Sequence, residues 1–329
     1  MLQIGILGCG RIGQVHARSL FMVDGARVAA VTDAFPEAAN ALAATTGASV
    51  MSAEEMIASP DIDAVVIGTP TDTHFDLIQS SARAGKAIFC EKPVDMSSDR
   101  IRQCIETVET AGIAFLTGFN RRFDAGFSAI QARIAAGEIG DVELVTILSR
   151  DPSPPPVSYI KSSGGLFRDM MIHDFDMARF LLGEDIVQVY ATGSALVDPA
   201  IGEAGDVDTA VAVLTTASGR ICQISNSRRA TYGYDQRAEV HGSLGLLKAE
   251  NIRENNVEIA TGSGFRSAPA QHFFLERYAG AYLAEMMHFI DCLSSGTAPS
   301  PGIRDGLAAQ LIADAAALSL ETGVPVALD

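Results

Sequence analysis

Three groups of residues in this 329-residue chain combine types and spacings that could do chemistry. The first is Gly8-Cys9-Gly10-Arg11-Ile12-Gly13, a GxGxxG hexad. Glycines so placed permit a tight turn and let a pyrophosphate come close to the N–H groups that open a helix. The hexad alone is a weak signal. Twenty residues beyond Gly13, however, stands Asp33, whose carboxylate is placed to accept hydrogen bonds from an adenosine ribose and would repel a 2′-phosphate. Together they predict a dinucleotide site that takes NAD rather than NADP. The plainer alternative is a glycine turn that packs helix on strand and holds no ligand.

The second group is a pair of short runs, Thr69-Pro70-Thr71-Asp72-Thr73-His74 and Glu91-Lys92-Pro93. A lone Lys is ordinarily a solvated surface charge, so Lys92 acquires a chemical reading only with a companion. The third group supplies one: Arg168-Asp169-Met170-Met171-Ile172-His173-Asp174-Phe175-Asp176. Asp169 and His173 are four apart and share a face if the segment is one helix. A carboxylate bonded to one ring nitrogen fixes the imidazole tautomer and stabilises its cation, so the other nitrogen can act as acid or base. Two other readings stand beside this one. One is an ion pair on a helix surface. The other is a metal-dependent hydrolase using Asp169, His173, Asp174 and Asp176, although the run has no HExxH arrangement.

The elements that must position these groups follow from the hydrophobic pattern. In the first 120 residues, short apolar runs at 2–7, 27–32, 64–68, 87–90 and 113–117 read as buried strands. They alternate with helical patterns at 11–23, 35–46, 53–57, 73–84 and 98–111. Such alternation predicts an α/β unit, a Rossmann parallel sheet with helices on both faces, over residues 1–121. The hexad then joins the first strand to the first helix, and the 69–74 and 91–93 runs lie at strand C-terminal ends, where ligands of such sheets bind.

From about Phe123 the rhythm changes. A helix at 124–136, a strand at 142–149, the proline-rich loop 151–156 and a helix at 166–182 precede strands at 187–192, 208–215, 219–225, 236–241 and 244–249. Strands joined by short turns predict a mostly antiparallel open sheet, hence an α+β domain over residues 122–329 that binds substrate and mediates assembly. Helices near 276–293 and 306–322 close it.

Composition excludes several function classes. Hydrophobic residues at 48% and charged residues at 19% argue against disorder. Forty acidic against 24 basic side chains give a net charge of -16, which repels phosphate backbones and anionic lipid, so neither a nucleic-acid nor a membrane partner is expected. No run reaches the roughly 18 uncharged apolar residues of a membrane span. Five cysteines without a CxxC read as buried free thiols, and the N-terminus lacks a basic region before an apolar core, so a cytoplasmic location is expected.

With these pieces in order, the sequence resembles the large oxidoreductase family that includes glucose-fructose oxidoreductase and inositol dehydrogenase. The resemblance spans nearly the whole chain: the GxGxxG start, Thr69-Pro70 with His74, Glu91-Lys92-Pro93, Asn120-Arg121-Arg122-Phe123 and the DxxxHDxD segment. The runs 150–156, Tyr159-Ile160-Lys161 and Gly164-Gly165-Leu166-Phe167-Arg168-Asp169 look most like the inositol 2-dehydrogenase subgroup. The resemblance implies NAD as cofactor, held by Gly8, Gly10, Arg11, Ile12, Gly13, Asp33, Thr69, Pro70, His74, Glu91 and Lys92. It implies a catalytic set of Lys92, Asp169 and His173 with no metal, and a substrate pocket that adds Arg121, Tyr232 or Tyr234, and Tyr282. The implied reaction oxidises a secondary hydroxyl of a cyclic polyol, foremost myo-inositol to the 2-inosose, in a homotetramer assembled through the second-domain sheet. Val211, Val213 and Ile221 make that sheet more apolar than a fully wet face would be. Another sugar or inositol isomer, and a non-catalytic dinucleotide-binding regulator, are the competing readings.

Overall fold

The computed structural model describes residues 1–328 and divides into two compact units. One comprises residues 1–123 and 280–310; the other comprises residues 124–279 and the chain from Leu311 onward.

In chain order the first unit begins β1 (Leu2–Leu7), α1 (Arg11–Phe21), β2 (Ala26–Thr32), α2 (Pro36–Thr46), β3 (Ser49–Val50) and α3 (Ala53–Ala58). It continues with β4 (Ala64–Ile67), α4 (His74–Arg83), β5 (Ala87–Glu91), α5 (Ser98–Ala111) and β6 (Phe115–Gly118). The strands form one parallel sheet in the order β3-β2-β1-β4-β5-β6. Both faces are covered, as uninterrupted apolar strands require. Ile4, Ile6, Val66 and Phe89 share one core with Leu20 of α1. Leu7, Val65, Ile67 and Ile88 share the other with Ile78 of α4 and Ile101 of α5. The first core also receives Met286, Phe289 and Ile290 from near the C-terminus.

The second unit holds α6 (Ala125–Ala135), β7 (Val142–Arg150), α7 (Val157–Ser163), α8 (Gly165–Asp169), α9 (Ile172–Leu182), β8 (Ile186–Ser194) and α10 (Pro199–Glu203). Next come β9 (Thr209–Thr216), β10 (Ile221–Ser227), β11 (Asp235–Gly242), β12 (Gly245–Ala249), the exposed hairpin β13 (Glu258–Thr261) and β14 (Gly264–Ser267), and α11 (Phe274–Arg277). The chain closes with α12 (Ala279–Ser295), α13 (Ile303–Thr322) and β15 (Val326–Ala327). The large sheet runs β12-β11-β7-β10-β9-β8-β15, and within it only β7 and β10 pair in parallel. It is therefore the mostly antiparallel sheet expected from the strand spacing. Along β9, Ala210, Ala212 and Leu214 are buried, whereas Val211 and Val213 face solvent, the period of two expected of a sheet covered on one face. Helix α9 packs on β7 and β10.

The single helix expected over 166–182 is instead two. Both Met170 and Met171 donate their N–H groups to the Leu166 carbonyl, and the next helix starts afresh with Met171 accepting from Asp174 and Phe175. Helix α7 and the β13–β14 hairpin were not foreseen. Each is too short for its hydrophobic period to stand out.

Candidate active site

The turn between β1 and α1 shows three glycines doing three jobs. Gly8 has φ +96°, and a Cβ there would lie 2.7 Å from the Gly68 carbonyl. A Cβ on Gly13 would lie 1.9 Å from the Gly8 oxygen, so only a hydrogen lets the helix start so close to the strand. Gly10 differs: its φ is −66°, and a Cβ would meet nothing within 4 Å. The fold does not need glycine there. The open volume borders the first turn of α1, whose N–H groups no side chain caps, and a pyrophosphate fits that cradle. Arg11 is exposed on the first turn, and Ile12 is half-buried.

Asp33 is held ready at the end of β2. Its Oδ2 accepts from the Cys9 N–H at 2.6 Å and its Oδ1 from the Phe35 N–H at 2.9 Å. One bond to each oxygen fixes the carboxylate and leaves it lone pairs for two ribose hydroxyls. The neighbouring Ala34 and Phe35 are exposed and carry no cation for a 2′-phosphate.

The two remaining strand-end loops are tied to each other by His74, which is 1% exposed. Its Nε2 lies 2.9 Å from the Thr69 carbonyl and its Nδ1 2.9 Å from the Pro93 carbonyl. Burial pushes the imidazole below its ordinary value, and the two carbonyls, Glu91 and Asp95 only partly oppose that. His74 thus sits beneath the loops and sets their spacing. Glu91 is bonded at 2.6 Å to His16 Nε2 in a buried pair, and the half-buried Lys92 follows Glu91 at the end of β5. Tyr282 is 7% exposed and stands edge-on to His16, with ring centroids 5.8 Å apart. Arg121 is buried in a helical turn after β6.

In the second unit, Asp169 ends α8 and His173 lies in the first turn of α9. Asp169 Oδ1 accepts from the Tyr159 hydroxyl at 2.9 Å, and its Oδ2 lies 3.4 Å from both terminal nitrogens of Arg228. The next acid, Asp174, is fully buried and accepts from Ser149 Oγ at 2.6 Å and Asn226 Nδ2 at 3.0 Å. These bonds pin α9 to β7 and β10, which gives Asp174 a structural task. Asp176 is 1% exposed. Of the two candidate tyrosines, Tyr234 is buried edge-on to Tyr278. Tyr232 is half-exposed and donates its hydroxyl to Asp235 at 2.8 Å. Burial, and after it the Asp235 carboxylate, push the Tyr232 phenol upward, so it stays protonated.

His16, Tyr159 and Arg228 escaped the reading of the sequence as site residues. Tyr159 had a signal, since it lies in one of the resembling runs, but His16 and Arg228 are separated from their partners by 75 and 59 residues.

Over residues 2–119 the chain matches an oxidoreductase family with an NAD-binding Rossmann fold, and over 127–248 the GFO/IDH/MocA C-terminal domain. It belongs to the GFO/IDH/MocA oxidoreductase family. Within that family it is 56% identical to inositol 2-dehydrogenase of Rhizobium meliloti (strain 1021), covering 97% of both chains. A myo-inositol dehydrogenase from Corynebacterium glutamicum superposes with a TM-score of 0.96 at 42% identity, over 100% of this chain and 99% of that one. The scyllo-inositol dehydrogenase of Lactobacillus casei, solved with NAD(H) and scyllo-inositol, superposes with a TM-score of 0.93 at 29% identity over 99% of each chain. The cofactor of this family member is NAD, in keeping with the cradle over Gly10 and the anchored Asp33.

Proposed function

We propose that the protein is an NAD-dependent inositol 2-dehydrogenase that oxidises myo-inositol at C2 to the inosose. The observation that carries this reading is the 56% identity to an inositol 2-dehydrogenase along 97% of both chains. NAD, when bound, supplies the two-electron acceptor; the protein supplies binding, orientation and proton transfer. The C2 hydroxyl loses its proton as the carbon is oxidised, and His173 takes it, oriented by Asp169. Lys92 donates a hydrogen bond to the same oxygen and stabilises the charge that develops there. Arg121 and Tyr232 are the candidates for contacts with the remaining hydroxyls. Tyr234, as the alternative to Tyr232, and Tyr282 are further candidates for such contacts, both buried.

A panel of cyclitols and sugars with NAD, followed by NADH absorbance, tests the reading. Myo-inositol is expected to give the highest kcat/KM. Preference for scyllo-inositol or an aldose would reassign the substrate, and failure of every polyol would favour a dinucleotide-binding regulator.

The same reading takes the protein to be a cytoplasmic homotetramer of inositol catabolism. In support of the location, among the described residues no helix is long and apolar enough to cross a membrane, and all five cysteines are buried free thiols. In support of assembly, Leu144, Tyr190, Val211, Val213, Ile221 and Leu246 are all exposed on the large sheet, an apolar surface that closed symmetric association would bury.

A further inference from the structure

We propose that Arg228 and Tyr159 are positioning residues for the reaction: together they set the orientation of the Asp169 carboxylate. The proposal rests on the reading above, in which Asp169 orients His173. Three separate elements converge on this one carboxylate. Tyr159 comes from α7, Asp169 from the end of α8, and Arg228 directly follows β10. The Tyr159 hydroxyl donates to Oδ1 at 2.9 Å, while Nη1 and Nη2 of Arg228 both address Oδ2 at 3.4 Å.

Two features argue that this is more than packing. First, Arg228 is 1% exposed, and a guanidinium is taken out of water only at a large desolvation cost that a surface ion pair never meets. Placing it against an acid in the DxxxH segment is an expensive way to join two elements, because an apolar pair would serve as well. Secondly, the geometry divides the carboxylate. An ionised Asp has about four acceptor sites. Tyr159 bonds one oxygen and Arg228 addresses the other, so the two partners together define the plane of the group. Without Tyr159 or Arg228 the carboxylate could turn about its Cβ–Cγ bond, and this matters because Asp169 ends one helix while His173 begins another. No continuous helical backbone fixes their spacing, so side-chain partners must.

The test is steady-state kinetics with NAD and myo-inositol, with thermal melting as the second readout. Tyr159 is half-exposed, so Tyr159→Phe removes one hydroxyl at little risk to folding. It is expected to lower kcat roughly 10-fold, with KM for NAD and for myo-inositol within about twofold and the melting temperature unchanged, because a misoriented base slows the chemical step rather than binding. Arg228→Met should lower kcat further, and Arg228→Lys should recover part of the loss. Wild-type kcat in Tyr159→Phe overturns the proposal, whether or not the Arg228 variants fold. A fall in melting temperature with kcat unchanged per folded enzyme also overturns it and marks the contacts as structural. Asp169→Asn separates this proposal from the reading on which it rests. If Asp169→Asn is crippled and Tyr159→Phe is not, the positioning proposal alone fails. If Asp169→Asn is fully active, the catalytic assignment of Asp169 fails with it.

Discussion

Replacing Gly10 and Gly13 one at a time with Ala separates what the fold requires from what the ligand requires. At Gly13 a new Cβ would lie 1.9 Å from the Gly8 oxygen, and because that neighbour is backbone, the strand or the helix must move by about 1 Å to relieve it. Overpacking of this kind costs about 3 kcal/mol. At roughly 2–4 °C per kcal/mol for a unit of this size, Gly13→Ala should melt about 6–12 °C below wild type. At Gly10 the new Cβ meets nothing, and the residue's φ suits any amino acid. The loss of unfolded-state entropy that favours Ala and the poorer helix capping by Ala nearly cancel, which leaves stability within about 0.5 kcal/mol. If α1 cradles the pyrophosphate, however, the methyl group would stand where its oxygens approach the N–H groups of that helix. Losing one such charge-assisted hydrogen bond costs about 1.5–3 kcal/mol, so Kd for NAD should rise by roughly 10- to 100-fold. Circular dichroism melts and calorimetric titration with NAD measure both quantities. A Gly10→Ala protein that binds NAD within twofold of wild type would refute the pyrophosphate cradle, and one that melts as low as Gly13→Ala would show that the fold needs this glycine after all.

Four further outcomes are expected. Asp33→Ala with Ala34→Arg should raise kcat/KM for NADP relative to NAD by at least about 10-fold, since it removes the repulsive carboxylate and adds a phosphate partner; an unchanged ratio would mean that Asp33 does not face the ribose. His173→Ala and Lys92→Ala should each lower kcat on the order of 10²-fold while NAD titrations stay near wild type, and loss of NAD binding in both would reassign them to the cofactor or the fold. Because burial depresses His74, the unfolded chain binds its proton first: the stability this neutral ring contributes is complete above the ordinary value of 6.5 and is lost as pH falls below it, with a slope of up to about 1.4 kcal/mol per pH unit. Urea melts from pH 7.5 to 5 should therefore fall less steeply for His74→Asn, and parallel curves would contradict the assignment. Light scattering should give four times the chain mass, whereas a single chain mass would reject assembly through the exposed sheet face.

The chemistry of the cysteines follows from the same burial. It pushes the Cys9 and Cys104 thiols up to about 11, helped at Cys9 by the Asp33 charge, and holds Cys90 and Cys222 well above the ordinary range. Cys9, Cys90, Cys104 and Cys222 should therefore resist thiol reagents at pH 8 in the native protein and react only as it unfolds. Fast reaction at any of these four in the folded protein, located by mass spectrometry, would show that a thiol is accessible where burial is observed.

Five strands of the parallel sheet were legible because each is a short, mostly apolar run between helical patterns, and both signals are local; β3, two exposed residues long, carries no such signal. The candidate dinucleotide site was legible for the same reason: its glycines lie within six residues, and Asp33 lies one strand further on. What escaped was non-local or depended on a break. Helical spacing alone pairs Asp169 with His173, and nothing in residues 166–182 announces that Met170 and Met171 would both turn back to the Leu166 carbonyl and start a second helix. Hydrophobic periodicity sees which face of a segment is apolar. It does not see a backbone N–H that chooses a carbonyl five residues back over one four back. The break has a physical corollary: once the backbone no longer fixes the Asp169–His173 spacing, the orientation of the carboxylate passes to groups whose sequence positions carry no mutual signal. Arg228 illustrates this. In the sequence it is one arginine of a Arg228-Arg229 pair that reads as surface charge, and Arg229 is indeed exposed. Only the alternation of β10, with Cys222, Ile224 and Asn226 buried, carries the even-numbered position inward to meet an acid 59 residues earlier. That alternation could have been extended one step past the strand, and it would have singled out Arg228 as a buried cation in need of a carboxylate.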